Sequence, residues 1–303
     1  MPIHAEPEAA DQEASTVSAR ARPGVRIVVP LVGGVLALAA VALLAVVPGM
    51  TGAQVRAAET ALAGPLNHQP AVDAAMNLFV THSNPSANVS VDTLRAESDR
   101  DLRQYQAALD SVKSDEAALR QIIDSARRLG YIPLSRSQDL ERARQRAEVA
   151  LVPLLQADRV LSAAVDQERM SRAVFEGIYT ETQMIAAMQK QEYGEADRLY
   201  ADADRRITAV EPLARQPEVP MGIRVLVTDV RGVIDATDML AYDLFHRKLG
   251  DASFRQSEVQ RGLASVTKDA AKDAIIAIDA WNDTTYKPMI ASYDAGLAQL
   301  PGA

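Results

Sequence analysis

The sequence predicts an all-α protein: a single N-terminal transmembrane helix followed by an extended antiparallel helical bundle. Three observations carry this reading. Ile27–Val47 runs about 21 residues without a charge, enough at about 1.5 Å per residue to cross a hydrocarbon layer of about 30 Å. Beyond residue 90, apolar residues return at steps of three, four and seven, the spacing of a helix face. No stretch shows the two-residue alternation of a convincing strand pair.

The span separates two segments of different character. Residues 1–25 are rich in Ala, Glu, Pro and Ser and carry no hydrophobic period, so a disordered tail is expected. Residues 26–48 form the expected signal-anchor, with Gly33-Gly34 and Pro30 tolerated as they are in membrane helices. Arg20, Arg22 and Arg26 precede the span, and only Arg56 follows closely. By the positive-inside rule the tail is cytoplasmic and residues 53–303 are extracytoplasmic. The small residues Thr51-Gly52-Ala53 offer the alternative of a cleaved signal peptide. The apolar run is too long, and the tail before it too long and too acidic, for that to be the better reading.

After the span, Pro48-Gly49 and Thr51-Gly52 signal a break. Short helices are expected near 53–64 and 70–82, parted by Gly64-Pro65. Ser83–Asn88 reads as a loop and Ser90 as a helix N-cap. From 91 to 129, Leu102, Tyr105, Leu109, Val112, Leu119, Ile123 and Ala126 share one face, and Gly130 ends the helix. Glu116 falls on that stripe, which is expected to drift toward Ala118 there.

The next segment is the most regular, with a coiled-coil-like period. Leu140, Ala147, Leu154 and Leu161 repeat every seven residues, with Ala143, Ala150, Ala157 and Ala164 in step. Small seam residues let a neighbouring backbone approach closely. Pro153 should kink this helix. It continues to about Gln191, a turn at Tyr193-Gly194 follows, and the next helix covers roughly 195–215. Another is expected over 221–248, closed by Gly250. Ser253 to Gln256 fits a capping box opening a last long helix that Pro288 bends or breaks.

Tyr193, Ala196, Tyr200 and Ala203 resemble the second-helix positions of a tetratricopeptide repeat over about 15 residues. Gln191 stands where that pattern has glycine, Thr208 where it has proline, and no copy recurs at a period of 34. One such repeat cannot bury its own face. The segment therefore reads as an ordinary helical hairpin.

Composition narrows the function. The 303-residue chain has no cysteine, 48% apolar residues, 4% aromatics and a net charge of −8. Disulfides, cysteine–zinc sites and thiol nucleophiles are excluded. Without a stripe of clustered Lys and Arg, a nucleic-acid partner is not expected. The excess of arginine over lysine, with abundant alanine, is common in GC-rich bacterial genomes.

Four histidines occur. Asp243 and His246 lie one helical turn apart, but a di-metal bundle needs that pairing on two helices plus further carboxylates. Asp235, Asp238 and Asp243 read as a solvated acidic side without calcium-loop spacing. No phosphate-binding loop, nucleophile elbow or metalloprotease motif is present, so neither an enzyme nor a cofactor or metal site is expected. Asn88-Val-Ser and Asn282-Asp-Thr match the glycosylation pattern.

The aromatics thicken late in the chain. Part of the set Tyr242, Phe245, Trp281, Tyr286 and Tyr293 is expected at one exposed end as a protein-contact patch. The function expected is that of a membrane-tethered structural or interaction protein, an accessory or scaffold subunit. Its partners would be the lipid bilayer and a membrane or cell-envelope protein, with self-association left open. A ligand-sensing extracytoplasmic bundle is the alternative.

Overall fold

The structure, a computed structural model, describes residues 25–81, 91–129, 137–217, 219–266 and 271–300, with side chains from Ala53 onward other than those of Val91, Asp92, Leu129, Ser137, Ala271 and Ala274. It is all-helical; among the described residues there is no strand. The helices are α1 Val25–Thr81, α2 Val91–Leu129, α3 Ser137–Gln189, α4 Tyr193–Ala214, α5 Met221–Phe245, α6 Leu249–Ala264, α7 Ala271–Trp281 and α8 Lys287–Leu297. A π-helical turn, Asn282–Tyr286, joins the last two.

Met1–Met50 and Thr51–Ala303 are separate compact units. The tail, the 83–88 loop, Ser90 and Gly130 lie outside the described residues, as do the side chains of the apolar run Ile27–Val47. Among the described residues, no helix is long and apolar enough to cross a membrane.

The second unit is a packed bundle organised along α3, whose two halves serve different cores. The first core joins α1, α2, the first half of α3 and α8. The alanine seam lies inside it: Ala143, Ala147, Ala150, Ala157 and Ala164 are all buried, with Leu140, Leu154 and Leu161 between them. Alanine there removes side-chain bulk from the contact, so two backbones approach without overpacking. Pro153 lies inside α3 without ending it. Its ring faces Gly296 of α8, where a Cβ would fall 2.9 Å from the Pro153 Cβ.

The second half of α3 packs with α4, α5 and α6. At the junction of the two halves, Glu176 is buried and ion-paired to Arg95 of α2 (3.7 Å), Arg172 of α3 (3.1 Å) and Arg206 of α4. Asp99 pairs with Arg172 and Asp202 with Arg206. A buried carboxylate among guanidiniums is tolerated because its charge is compensated.

Several local expectations are corrected. Helix continues through Gly64-Pro65. Gly64 is where Asp115 of α2 crosses α1, since a Cβ there would lie 2.5 Å from Asp115 Oδ1, and Asp115 Oδ2 is bound to His68 Nδ1 at 2.8 Å. Glu116 is buried, while Ala118 is only half-buried. Arg120 holds it at 2.8 Å, and burial together with Asp158 pushes its pKa up. The stripe therefore does not drift.

Non-glycine residues make the turns. Gln191 (φ 63°) ends α3, with Glu192 N–H donating to Ala187 O and Gln191 N–H to Met188 O, both at 2.9 Å. That pair of bonds is the Schellman closure, which usually recruits glycine. Gly250 and Ser253 lie inside α6, so neither closes nor caps a helix. The expected break at Pro288 is present: the π turn Asn282–Tyr286 interrupts the α-helical run just before it, and the proline sits in the first turn of α8, where its missing N–H costs nothing.

Candidate functional site

The α5–α6 connection is only His246–Lys248 long. Arg247 adopts φ 56°, and Lys248 N–H donates to Asp243 O at 2.8 Å while Arg247 N–H donates to Leu244 O at 3.1 Å. This second Schellman closure folds the chain sharply and sets the last turn of α5 beside the first turn of α6.

Large apolar side chains crowd this apex and face solvent. Met239 and Tyr242 are each 50% exposed, Phe245 61%, Leu249 71% and Phe254 56%. Phe245 meets Tyr193 of α4 edge-on, ring centroids 5.7 Å apart, and His246 at 5.0 Å. His246 also lies against Tyr242 at 4.1 Å. Cations ride on two of the rings: Lys248 Nζ is 4.9 Å from the Tyr242 centroid, and the Arg255 guanidinium 5.7 Å from that of Phe254. Such contacts pre-order the rings. Beneath them Met188, Ala196, Leu240, Ala241, Ala252 and Val259 form a small core drawn from four helices that supports the apex.

Beside the apex an open trough of about 500 Å³ runs between α5 and α6. Gly232 and Met239 line one wall and Arg255 and Glu258 the other, with Arg255 bound to Glu258 at 2.6 Å. Gly262 holds the helices close, since a Cβ there would come within 2.6 Å of Val233 Cγ2.

The five residues nominated from sequence are thus not brought together. Tyr242 and Phe245 are at the apex. Tyr286 and Tyr293 are buried in the first core, where Phe79 meets Tyr105 at 6.1 Å and Tyr286 at 5.1 Å. Trp281 is half-buried and packs against that same core. Sequence reasoning missed Met239 and Leu249, and it counted Phe254 among the late aromatics without nominating it. Leu249 was concealed by the adjacent Gly250, which reads as the end of a helix.

Asp243 is buried, with Lys248 Nζ 3.9 Å away, and His246 Nδ1 lies 3.0 Å from the Tyr242 carbonyl oxygen. Of the acidic run on α5, Asp235 is paired with Arg231 at 3.4 Å, and burial, Asp197 and Asp235 push the Asp238 carboxyl up. Among the described residues, no group of three or more His, Asp or Glu is placed to hold a metal ion. Asn282 is buried within the π turn, out of reach of a glycosyl donor, and Asn88 lies outside the described residues.

Comparison of the chain with protein-family models, with curated proteins and with solved structures finds no match.

Proposed function

We propose that this protein is a membrane-tethered interaction protein, an accessory or scaffold subunit that presents the α5–α6 apex to a membrane or cell-envelope protein. The observation that carries this is the concentration of five large apolar side chains, each at least half exposed, on one helical hairpin. Scattered exposed apolar residues are ordinary, but a set concentrated on one hairpin over its own small core fits an interface. Aromatic anchors ringed by polar groups are also where interface energy concentrates.

The tether rests on sequence. An uncharged run of bilayer length, with arginines on its N-terminal side, fits a transmembrane helix preceding an extended antiparallel bundle. Protease added to intact cells should then remove residues 53–303 and spare the tail. Protection of the C-terminus would reverse the topology, and a mature chain starting near Gln54 would replace the anchor with a signal peptide.

The contact surface is tested by recovering partners of the detergent-solubilised full chain, wild type against Phe245→Ser/Leu249→Ser. A stoichiometric membrane partner lost in the variant supports the reading. The α5–α6 trough keeps a ligand-sensing bundle as the second reading, and recovery of a bound small molecule in place of a protein would favour it.

A further inference from the structure

Glu181 stands where packing alone would choose an apolar residue. It lies on α3, 1% exposed, and its Oε2 has no hydrogen-bond partner. Its one polar partner among the described residues is the Thr237 hydroxyl of α5, 3.4 Å from Oε1. That hydroxyl is already bound to the Val233 carbonyl at 2.9 Å, and a single proton cannot serve both acceptors. The narrow void beside Glu181 is walled by Gly177 of α3, Val230 and Ile234 of α5, Leu263 of α6 and Val266, with no room for a water molecule.

Among the described residues, charged groups on three of the surrounding helices are paired elsewhere, and α7, whose Ile278 packs on the same core, carries Lys272, Asp273 and Asp279. On α3, Glu176 holds Arg172 and Arg206. On α5, Arg231 pairs with Asp204 and Glu211 of α4 and with Asp235, while Asp238 faces Asp197 of α4. On α6, Arg255 pairs with Glu258, and Arg261 Nε donates to the Ser257 carbonyl. Lys268 and Asp269, just past Val266, lie outside the described residues. Among the described residues no cation and no second donor reaches this carboxylate, and the void beside it is too narrow for water, so the neutral acid is the form that fits.

Ionisation would therefore draw water in, and α6 is the wall that gives most easily. It buries only Ala252 and Val259 along its length, whereas α5 buries nine residues. α6 also carries Leu249 and Phe254, one side of the apex. We infer that Glu181 is a proton-controlled latch: the neutral carboxyl keeps α6 closed on α3 and α5, and loss of the proton frees α6 and the Leu249–Phe254 side of the contact surface. The latch stands on the geometry of the core; its consequence for partner binding rests on the contact-surface reading above.

Burial pushes the Glu181 carboxyl up to about 7, from an ordinary 4.5 when α6 is open and water reaches it. Closure is then strongest below the lower value and is lost as pH rises through the upper one. Hydrogen exchange of the full chain in detergent, corrected for intrinsic rates, reads this in α6, with α2 as reference. In wild type, the open population of α6 should rise on the order of 100-fold from pH 5 to pH 7.5, and α2 should change little. Glu181→Gln and Glu181→Leu should both stay closed throughout. A flat wild-type profile, or the same rise in Glu181→Gln, overturns the latch. Partner recovery that does not change over this pH range overturns the coupling to the apex. Failure of the contact reading itself would leave α6 exchange as predicted.

Discussion

In the first core, Tyr286 and Tyr293 are 4% and 0% exposed; at the α5–α6 apex, Tyr242 and Phe245 stand in solvent. These are residues of one kind from one third of the chain, separated by the helices each meets. The π turn and α8 lie against α3 and the α1 segment beyond Ala58, so their tyrosines enter a core already lined by Phe79, Tyr105 and Met76. Among the described residues, the end of α5 shares its small core with the short α6 and the ends of α3 and α4, and its outer face stays exposed. The acids differ in the same way. The Glu116 carboxylate keeps an arginine, and Asp115 a histidine, whereas Glu181 has neither. One half of α3 is built for tight closure, and the other carries a soft wall and an uncovered surface.

The widest separation should appear on truncation. Leu161→Ala in the first core should cost about 3–4 kcal/mol in unfolding, because the void it leaves is sealed by neighbours that collapse poorly. Phe245→Ala at the apex should cost under about 0.5 kcal/mol. Equal losses in chemical denaturation would erase the contrast between the two regions.

Acid–base behaviour should separate them next. Glu181→Gln should stabilise the protein by about 2–3 kcal/mol at pH 8 and by almost nothing at pH 4.5, because wild type ionises this group at a cost only above its unfolded value. Melting curves for both proteins across pH 4.5–8 would show the gap widen. A constant gap would mean that Glu181 acts through packing alone.

The alanine seam provides the third contrast. Ala150→Leu or Ala157→Leu should overpack the first core by about 1–3 kcal/mol. Leucine at exposed Ala201 of α4 should be tolerated within a few tenths. Unchanged melting of both seam variants would contradict the close approach.

The smallest effect belongs to a turn. Gln191→Gly should raise stability by about 0.5–1 kcal/mol, since glycine carries no Cβ penalty in the left-handed region. A destabilised variant would show that unfolded-state entropy outweighs the relief of strain there.

What could be read from sequence follows the range of the forces involved. The bounds of α2 and the buried face of α3 are periodic, and a 3.6-residue repeat records which side is covered whatever covers it. The Gln191 and Arg247 turns left no glycine to mark them, because Schellman hydrogen bonds close them on exposed non-glycine residues in the left-handed region. Gly64-Pro65 looked like a break because its reason, the crossing by Asp115, lies about 50 residues away. For the same cause only Tyr242 and Phe245, of the five aromatics nominated, reached the apex. Aromatic content marks a residue for burial or for binding, and only the neighbouring helices decide between them.

The central claim is that the apex serves contact and the first core serves stability. The most direct measurement takes Phe245→Ser/Leu249→Ser in the full chain and follows melting and partner recovery on the same preparation. The account predicts a midpoint within about 2 °C of wild type, as for small surface changes, together with loss of the partner. A collapse of melting, or full recovery with melting intact, would contradict it.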